Sequence, residues 1–216
     1  MITDVHEAAP DDIIESVTRT APDVIFIGGD LIEAKTAESS ESYGKRGNKN
    51  AYDLLNKAIK IAPVIYAPGN HEAYINEAHR DKIKATGAVF LENSSVTVKI
   101  NGYNITVGGV TSKPDPVWLA KFSQSGLYKI LLCHQPEQYI RLFPDLNVDI
   151  VLSGHAHGGQ WRFFGRGVYA PGQGIFPRYT RGIYKKKLLV SAGASNNEPI
   201  PRIFNPCEIV DIEFIK

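Results

Sequence analysis

The sequence predicts an α/β (α+β) chain in which two packed mixed β-sheets carry helices on their outer faces. Three observations predict it. The first third alternates short apolar runs with amphipathic patterns, β-α-β-α-β, the order that yields parallel strands with crossover helices. The middle holds two alternating segments, 96–100 and 103–107, joined by Asn101-Gly102, the dipeptide of a type I′ hairpin turn. The last third is rich in Gly, Pro and aromatic residues and reads as further strands and loops. With 216 residues, 43% of them hydrophobic, the chain suits one domain over 1–216 with a full core, and disorder is excluded.

Each element has its own local reason. Met1-Ile2-Thr3 reads as a strand; strands usually run about five or six residues, so its beginning is expected to be missing. Residues 11–20 put Ile13, Ile14 and Val17 on one helical face, with acids in the first turn. Val24 to Ile27, between Pro22-Asp23 and Gly28-Gly29, is a short buried strand. Asn50 is read as the cap of a helix carrying Leu54, Leu55, Ala58 and Ile59; Pro63 ends it, and residues 64–67 are the next strand. A helix over 77–86 stops at Gly87. Beyond the hairpin, helices over 116–124 and 136–143 alternate with strands over 129–133 and 148–152, and 208–215 reads as a closing strand. Residues 34–49 are polar and without apolar period, a surface loop or, on a sharper reading, a lid over the preceding strand end.

Composition narrows the function classes. Lys+Arg 24 against Asp+Glu 23 leaves a net charge of +1, so there is no global basic field for nucleic acid and a nuclease is disfavoured. No run approaches the roughly 18 apolar residues of a membrane span. The N-terminus lacks the pattern of a secretion signal. The chain as it stands is therefore expected in the cytoplasm, with membrane association or export expected if an upstream anchor has been removed. Cys133 and Cys207 are too few for a disulfide framework or a thiolate zinc site, and both read as buried thiols.

Five short strings share one grammar, a buried β-run followed by ligand-type residues. They are Asp4-Val5-His6, Gly29-Asp30, Gly69-Asn70-His71-Glu72, Cys133-His134-Gln135 and Gly154-His155-Ala156-His157. Open α/β sheets put their ligands at the carboxyl ends of strands, so these strings are expected to share a cleft. Taken singly each is weak, because a loop His is more often a surface residue and an Asp before a turn more often a turn former. Their joint occurrence points to a metal site, and imidazole with carboxylate suits zinc, iron, manganese, nickel or cobalt. Asp4 and His6, two apart on a strand, are expected to project to one side; His155 and His157 have the same spacing but equally suit two different ions. Seven candidate ligands, apart from His71, exceed the needs of one ion and suggest two, with one carboxylate bridging. His79 lies on a helix without a ligand companion and is left out.

These strings, in this order over residues 4–157, resemble those of the calcineurin-like metallophosphoesterase family. The tail Gly158-Gly159-Gln160-Trp161, Ala170-Pro171-Gly172 and Tyr179-Thr180-Arg181-Gly182-Ile183-Tyr184 resembles its bacterial branch of YkuE- and YaeI-like phosphohydrolases. The resemblance implies a four-layer αββα sandwich. It implies that Asp4, His6, Asp30 and His157 bind a first divalent ion, that bridging Asp30 with Asn70, His134 and His155 bind a second, and that His71 assists the leaving group or phosphoryl oxygens. It implies a hydroxide between ions roughly 3.5–4 Å apart attacking phosphorus in line.

The expected substrate is a phosphorylated small molecule or a lipid-linked one, cleaved as a phosphodiester or pyrophosphate, with a monoester as the lesser fit. No Arg or Lys lies within the ligand strings, whereas a dianionic monoester calls for added cations; these lie downstream, from Arg162 to Lys187. Within that block Arg178 and Arg181 are candidate substrate contacts, against the reading of a solvated basic surface. Trp161, Phe163, Phe164 and Tyr169 read as core or hairpin packing. The competing readings are a UDP-diacylglucosamine-type pyrophosphohydrolase, which would want an apolar groove, and a non-catalytic metal-binding scaffold, which the intact ligand set argues against.

Overall fold

The computed structural model describes residues 1–34, 48–196 and 199–214, and it stacks helices, sheet, sheet and helices in four layers. The first sheet is parallel, in the order β1 (Ile25–Ile27), β2 (Val64–Tyr66), β3 (Val89–Phe90). Ile2 extends it by a single parallel bridge to Ile27. β1 and β2 are buried on both faces, which is why their sequences are unbroken apolar runs. Ile25, Ile27, Val64 and Tyr66 pack with Ile13 and Val17 of α1 (Asp11–Thr20), Leu54 and Leu55 of α2 (Lys49–Ala58) and Ile83 of α3 (Glu77–Thr86). Phe26 and Ile65, one residue out of phase, face the other sheet.

The second sheet is mixed. It contains β4 (Ser94–Ile100), β5 (Tyr103–Gly109), β6 (Tyr128–Leu132) and β7 (Ile150–Ser153). Two small antiparallel pairs follow, β8 (Arg162–Phe163) with β9 (Arg166–Gly167) and β10 (Tyr169–Ala170) with β11 (Gly174–Ile175). β12 (Gly182–Tyr184) and β13 (Leu188–Val190) then return to the sheet, giving the order β12-β13-β7-β6-β5-β4. Val107, Ile130, Leu132, Leu152 and Leu189 meet Phe26 and Ile65 in the central core. Leu131, Val151, Leu188 and Val190 point the other way, onto Leu119 and Phe122 of α4 (Pro116–Ser123) and Tyr139 of α5 (Pro136–Leu142).

Elements with strong local signals lie where the sequence placed them. Asn101 and Gly102 both have positive φ, 49° and 86°, as a type I′ turn requires. α3 is capped by Asn76, whose side chain accepts from the His79 N–H, and ends at left-handed Gly87.

Other expectations are corrected. α2 begins at Lys49 with Asn48 in the N-cap place, while Asn50 donates its side-chain amide to the Glu7 carbonyl. The opening segment makes one bridge and then turns, rather than continuing as a strand. The segment 208–214 forms no ladder; Val210 N–H donates to the Met1 carbonyl, and the Met1 ammonium donates to the Val210 carbonyl at 2.6 Å. Cys133 is buried but Cys207 is exposed. Trp161, Phe163, Phe164 and Tyr169 are exposed, not core, because β8 to β10 stand outside both sheets. Residues 35–47, which make up most of the proposed loop or lid, lie outside the described residues. No described helix is long and apolar enough to cross a membrane.

The end of β5 packs tightly on the segments that follow β2 and β3 at Gly109, where an added Cβ would lie 2.6 Å from Leu91 Cβ and 2.8 Å from Ala67 Cβ. Gly109→Ala is expected to cost about 1–3 kcal/mol by overpacking this contact. A urea titration checks it, and an unchanged midpoint would show that the sheets separate freely here.

Candidate metal centre

The five ligand strings leave adjacent strand ends and converge between the sheets. Gly29-Asp30 follows β1, Gly69 to Glu72 follows β2, His134 follows β6 and Gly154 to His157 follows β7. Asp4 and His6 join them from the opening segment, where Asp4 N–H donates to the Gly29 carbonyl and His6 N–H to the Asp30 carbonyl. Asp4, His6, Asp30, His155 and His157 all have left-handed backbone, with φ from 46° to 68°. This corrects the expectation for Asp4 and His6: a tight turn, and not strand alternation, brings their side chains together. Non-glycine residues seldom hold this conformation, and such strain gathers at functional sites.

Asp30 and Asp4 are the anionic centres. Asp30 Oδ2 lies 3.0 Å from His134 Nε2, 3.8 Å from His71 Nε2 and 3.9 Å from His6 Nε2. Asp4 Oδ1 lies 3.5 Å from His157 Nε2 and 4.0 Å from His6 Nε2. Three groups could each hold an ion: Asp4 with His6 and His157, Asp30 with His6 and His71, and Asp30 with His134 and His155. The donors fit a metal on a separate ground. Asn70 Oδ1 is buried without a hydrogen bond, and two imidazole nitrogens, His6 Nε2 and His157 Nε2, face each other at 3.3 Å. Buried polar atoms are normally partnered, and a divalent cation with nitrogen and oxygen ligands partners all of these.

Outer contacts aim the rings. His134 Nδ1 is bonded to the Gly28 carbonyl at 2.7 Å, which turns Nε2 inward. Glu33 holds two imidazoles at once, His6 Nδ1 at 3.1 Å and His71 Nδ1 at 2.8 Å. Arg202 Nη2 reaches His157 Nδ1 at 3.2 Å, and Glu137 lies 3.4 Å from His155 Nε2. Glu72, 2% exposed, accepts from the backbone N–H groups of Asp30 at 3.0 Å, Leu31 at 2.7 Å, Ile32 at 2.8 Å and Gly69 at 2.6 Å. It also accepts from the Tyr66 hydroxyl at 2.6 Å. Gly69 itself admits no side chain, since a Cβ would sit 2.2 Å from Asp30 Oδ1.

The electrostatics follow from this crowding. Burial alone pushes the Asp30 carboxyl up, but His134, His71 and His6 outweigh it and hold it well below the usual range. Burial pushes His134 down, yet Asp30 and Asp4 outweigh that and raise it to about 10. Glu33, despite its burial, is held at about 2 by His6 and His71. His155 is driven down to about 3 by burial and by the charge on His134, so its ring is neutral and offers a lone pair.

Seven of the eight candidate residues, Asp4, His6, Asp30, His71, His134, His155 and His157, therefore lie together, and Asn70 sits in the same turn as His71. The two candidate substrate cations do not join them: Arg178 is exposed over the Tyr179 ring, and Arg181 Nη2 is paired with Glu208 at 2.6 Å. Glu33, Glu137, Arg202 and the role of Glu72 were not legible in the strings. Only Glu33, three residues after Asp30, carried any local signal. His79 is buried away from the cluster, its Nδ1 2.6 Å from the Tyr52 hydroxyl.

The sequence profile of the calcineurin-like phosphoesterases matches residues 1–159. An uncharacterized metallophosphoesterase of Campylobacter jejuni, Cj0846, is 32% identical over 97% of this chain and 57% of its own length. The phosphodiesterase YaeI of Escherichia coli is 24% identical over 70% of this chain and 54% of its own. The chain thus spans little more than half the length of these two relatives. Among solved structures, the sulfate thiohydrolase SoxB of Thermus thermophilus superposes with a TM-score of 0.50 over 85% of this chain and 36% of its own, at 13% identity, a likeness of fold.

Glu72→Ala strands four buried backbone donors and a buried hydroxyl, and is expected to cost about 3–5 kcal/mol. Glu72→Gln, which keeps one acceptor oxygen, is expected to lose less. Thermal melts of the two variants check the order, and equal losses would show that one acceptor oxygen kept in the same volume supplies none of the carboxylate's contribution.

Proposed function

Because the chain belongs to the calcineurin-like phosphoesterase family, we propose that it is a metal-dependent phosphoric ester hydrolase acting on a phosphodiester or pyrophosphate through two divalent ions. The observation that carries this reading is the place of Asp30, whose carboxylate is shared by two of the three ligand groups. In this reading Asp4, His6, Asp30 and His157 hold one ion, and Asp30, Asn70, His134 and His155 hold the other. Zinc, manganese, iron and nickel all suit the donors. When bound, such ions neutralise charge on phosphoryl oxygens and make water a nucleophile near neutral pH.

The chain's own residues do the rest. Ionised Glu33 fixes the His71 ring through Nδ1, which leaves Nε2 on the side of Asp30, 3.8 Å from its Oδ2. From there His71 delivers a proton to the leaving oxygen, a step worth roughly 10²–10⁴-fold in rate. The walls exclude water: Asp4, Asp30 and His134 are each under 5% exposed, so every charge in the cleft acts in a poorly screening medium.

The diester reading rests on charge. Among the described residues Arg202 touches a candidate ligand, His157, and its guanidinium is already engaged by the Ala192 and Ser195 carbonyls as well. Among the described residues a monoester dianion therefore finds no uncommitted cation at the ligand cluster, whereas a diester carries one charge and needs less. The name of YaeI, a phosphodiesterase, points the same way.

Elemental analysis of reconstituted protein is expected to approach about two ions per chain. Asp30→Asn should lower both occupancy and turnover more than His6→Ala does. A plateau at one ion with unchanged activity would overturn the two-ion reading.

The metal-loaded protein is expected to show a higher kcat/KM for bis-nitrophenyl phosphate than for nitrophenyl phosphate at one pH. A preference for the monoester would overturn the diester assignment and leave the two-ion centre standing.

A further inference from the structure

The segment after the last metal-ligand string has a composition unlike the rest of the chain. Between residues 160 and 187 there are seven Arg and Lys residues and no Asp or Glu, in a chain whose net charge is only +1. The same segment exposes its large apolar side chains. At the tip of the β8–β9 hairpin Phe164 is fully exposed, and Phe163 and Trp161 beside it are 45% and 36% exposed. Trp161 bridges to Ile203, and Phe163 meets Phe204 with ring centroids 5.9 Å apart. The result is one patch built from two separate segments, 161–164 and 203–204. It surrounds a shallow groove of about 390 Å³ lined by Arg162, Phe163, Phe164, Gly165 and Phe204.

This patch is tied rigidly to the metal centre. In the strap 202–205 the two end residues point inward: Arg202 Nη2 contacts His157 Nδ1, and buried Asn205 donates from Nδ2 to the His157 carbonyl at 2.7 Å. The two middle residues, Ile203 and Phe204, point outward into the patch. The same four residues therefore hold a ligand-bearing turn and present the apolar surface. Arg162 braces the hairpin from below, donating to the Gly158 and Gly165 carbonyls and the Thr180 hydroxyl. Arg166, the register partner of Phe163, is exposed.

We propose that this patch is a docking surface for an anionic phospholipid bilayer, seating the aromatic hairpin among the headgroups with the metal centre beside them. Exposed apolar patches rimmed by polar residues mark interaction sites. Exposed aromatic residues with Arg166 beside them on the hairpin, in a segment that carries no acid from 160 to 187, match an interface that is apolar beneath and negatively charged at its surface. A protruding side chain such as Phe164 needs a partner of matching concave shape if that partner is a protein, but none if the medium is fluid lipid. Charge complementarity commits the site to lipid, and the fixed strap makes docking bear on where the centre sits.

The test is flotation of the full chain with phosphatidylcholine vesicles, with and without phosphatidylglycerol, at low and high salt. Capture by the anionic vesicles, weakened by salt, is expected. Phe164→Ser should weaken capture roughly tenfold, the worth of one apolar side chain, and Arg166→Glu should weaken it further at low salt than at high. Neither residue touches the ligand cluster, so thermal midpoints and hydrolysis of soluble bis-nitrophenyl phosphate should be unchanged. Equal binding to neutral and anionic vesicles, or capture indifferent to both substitutions, would overturn the proposal. Self-association in sedimentation that Phe164→Ser abolishes, without vesicle capture, would overturn it too and assign the patch to a second copy of the chain. The outcome is independent of which ester the enzyme cleaves.

Discussion

The buried carboxylate of Glu72 is the constraint on which the centre depends. Two parallel strands, β1 and β2, end side by side, and the chain after each must turn sharply without leaving its amide groups unpaired. Glu72 gathers three consecutive N–H groups from the first turn and one from the second, and the Tyr66 hydroxyl completes its shell. A carboxylate is suited to this because it has two oxygens and only accepts. Its burial and its proximity to Asp30 raise its pKa, and the hydrogen bonds oppose that rise. Asp30, Asn70 and His71 stand on the two turns so joined, so their relative positions are set before any ion enters.

The centre packs charge that burial opposes. Two carboxylates and several imidazoles share a volume almost without solvent, where an unpaired ion would be costly. The directions of their pKa values show how the conflict is resolved without metal: Asp30 stays ionised, His134 takes a proton, and His155 stays neutral. The left-handed backbone at five of these positions adds strain of order 1 kcal/mol or more each. Such a site spends stability for preorganisation, and the hydrophobic layers on either side supply it. The Phe26 to Leu189 core between the sheets is continuous with the strand ends that carry the ligands.

The outer edge of the site is built from a late part of the chain. Arg202 and Asn205 return to His157 after two small hairpins, so the turn bearing that ligand is clamped by residues 45 and 48 positions away. This arrangement makes the third part of the chain more than a covering. It joins a candidate metal ligand to an exposed aromatic surface through four consecutive residues.

What the sequence by itself determined is what short-range chemistry controls. The Asn101-Gly102 turn, the Gly87 stop of α3, and the buried runs at Ile25 and Val64 are all decided within a few residues, and they lie where the pattern placed them. The candidate ligand strings could be picked out too, because four of the five follow such a run directly. Only the tertiary structure decided how the strings meet. The turn at Asp4 and His6 is shaped by carbonyls near residue 30, His6 faces His157 across 151 positions, and Glu33 reaches His71 across 38. The segment 208–214, strand-like by pattern, spends its backbone bonds on Met1 and Gly193. The aromatic residues after Gln160, apolar enough for a core, are left outside because both sheets are already covered by helices. The physical reason is one of range: periodicity and turn propensity act between near neighbours, whereas hydrogen-bond partners and burial are assigned by contacts that exist only once the chain has folded.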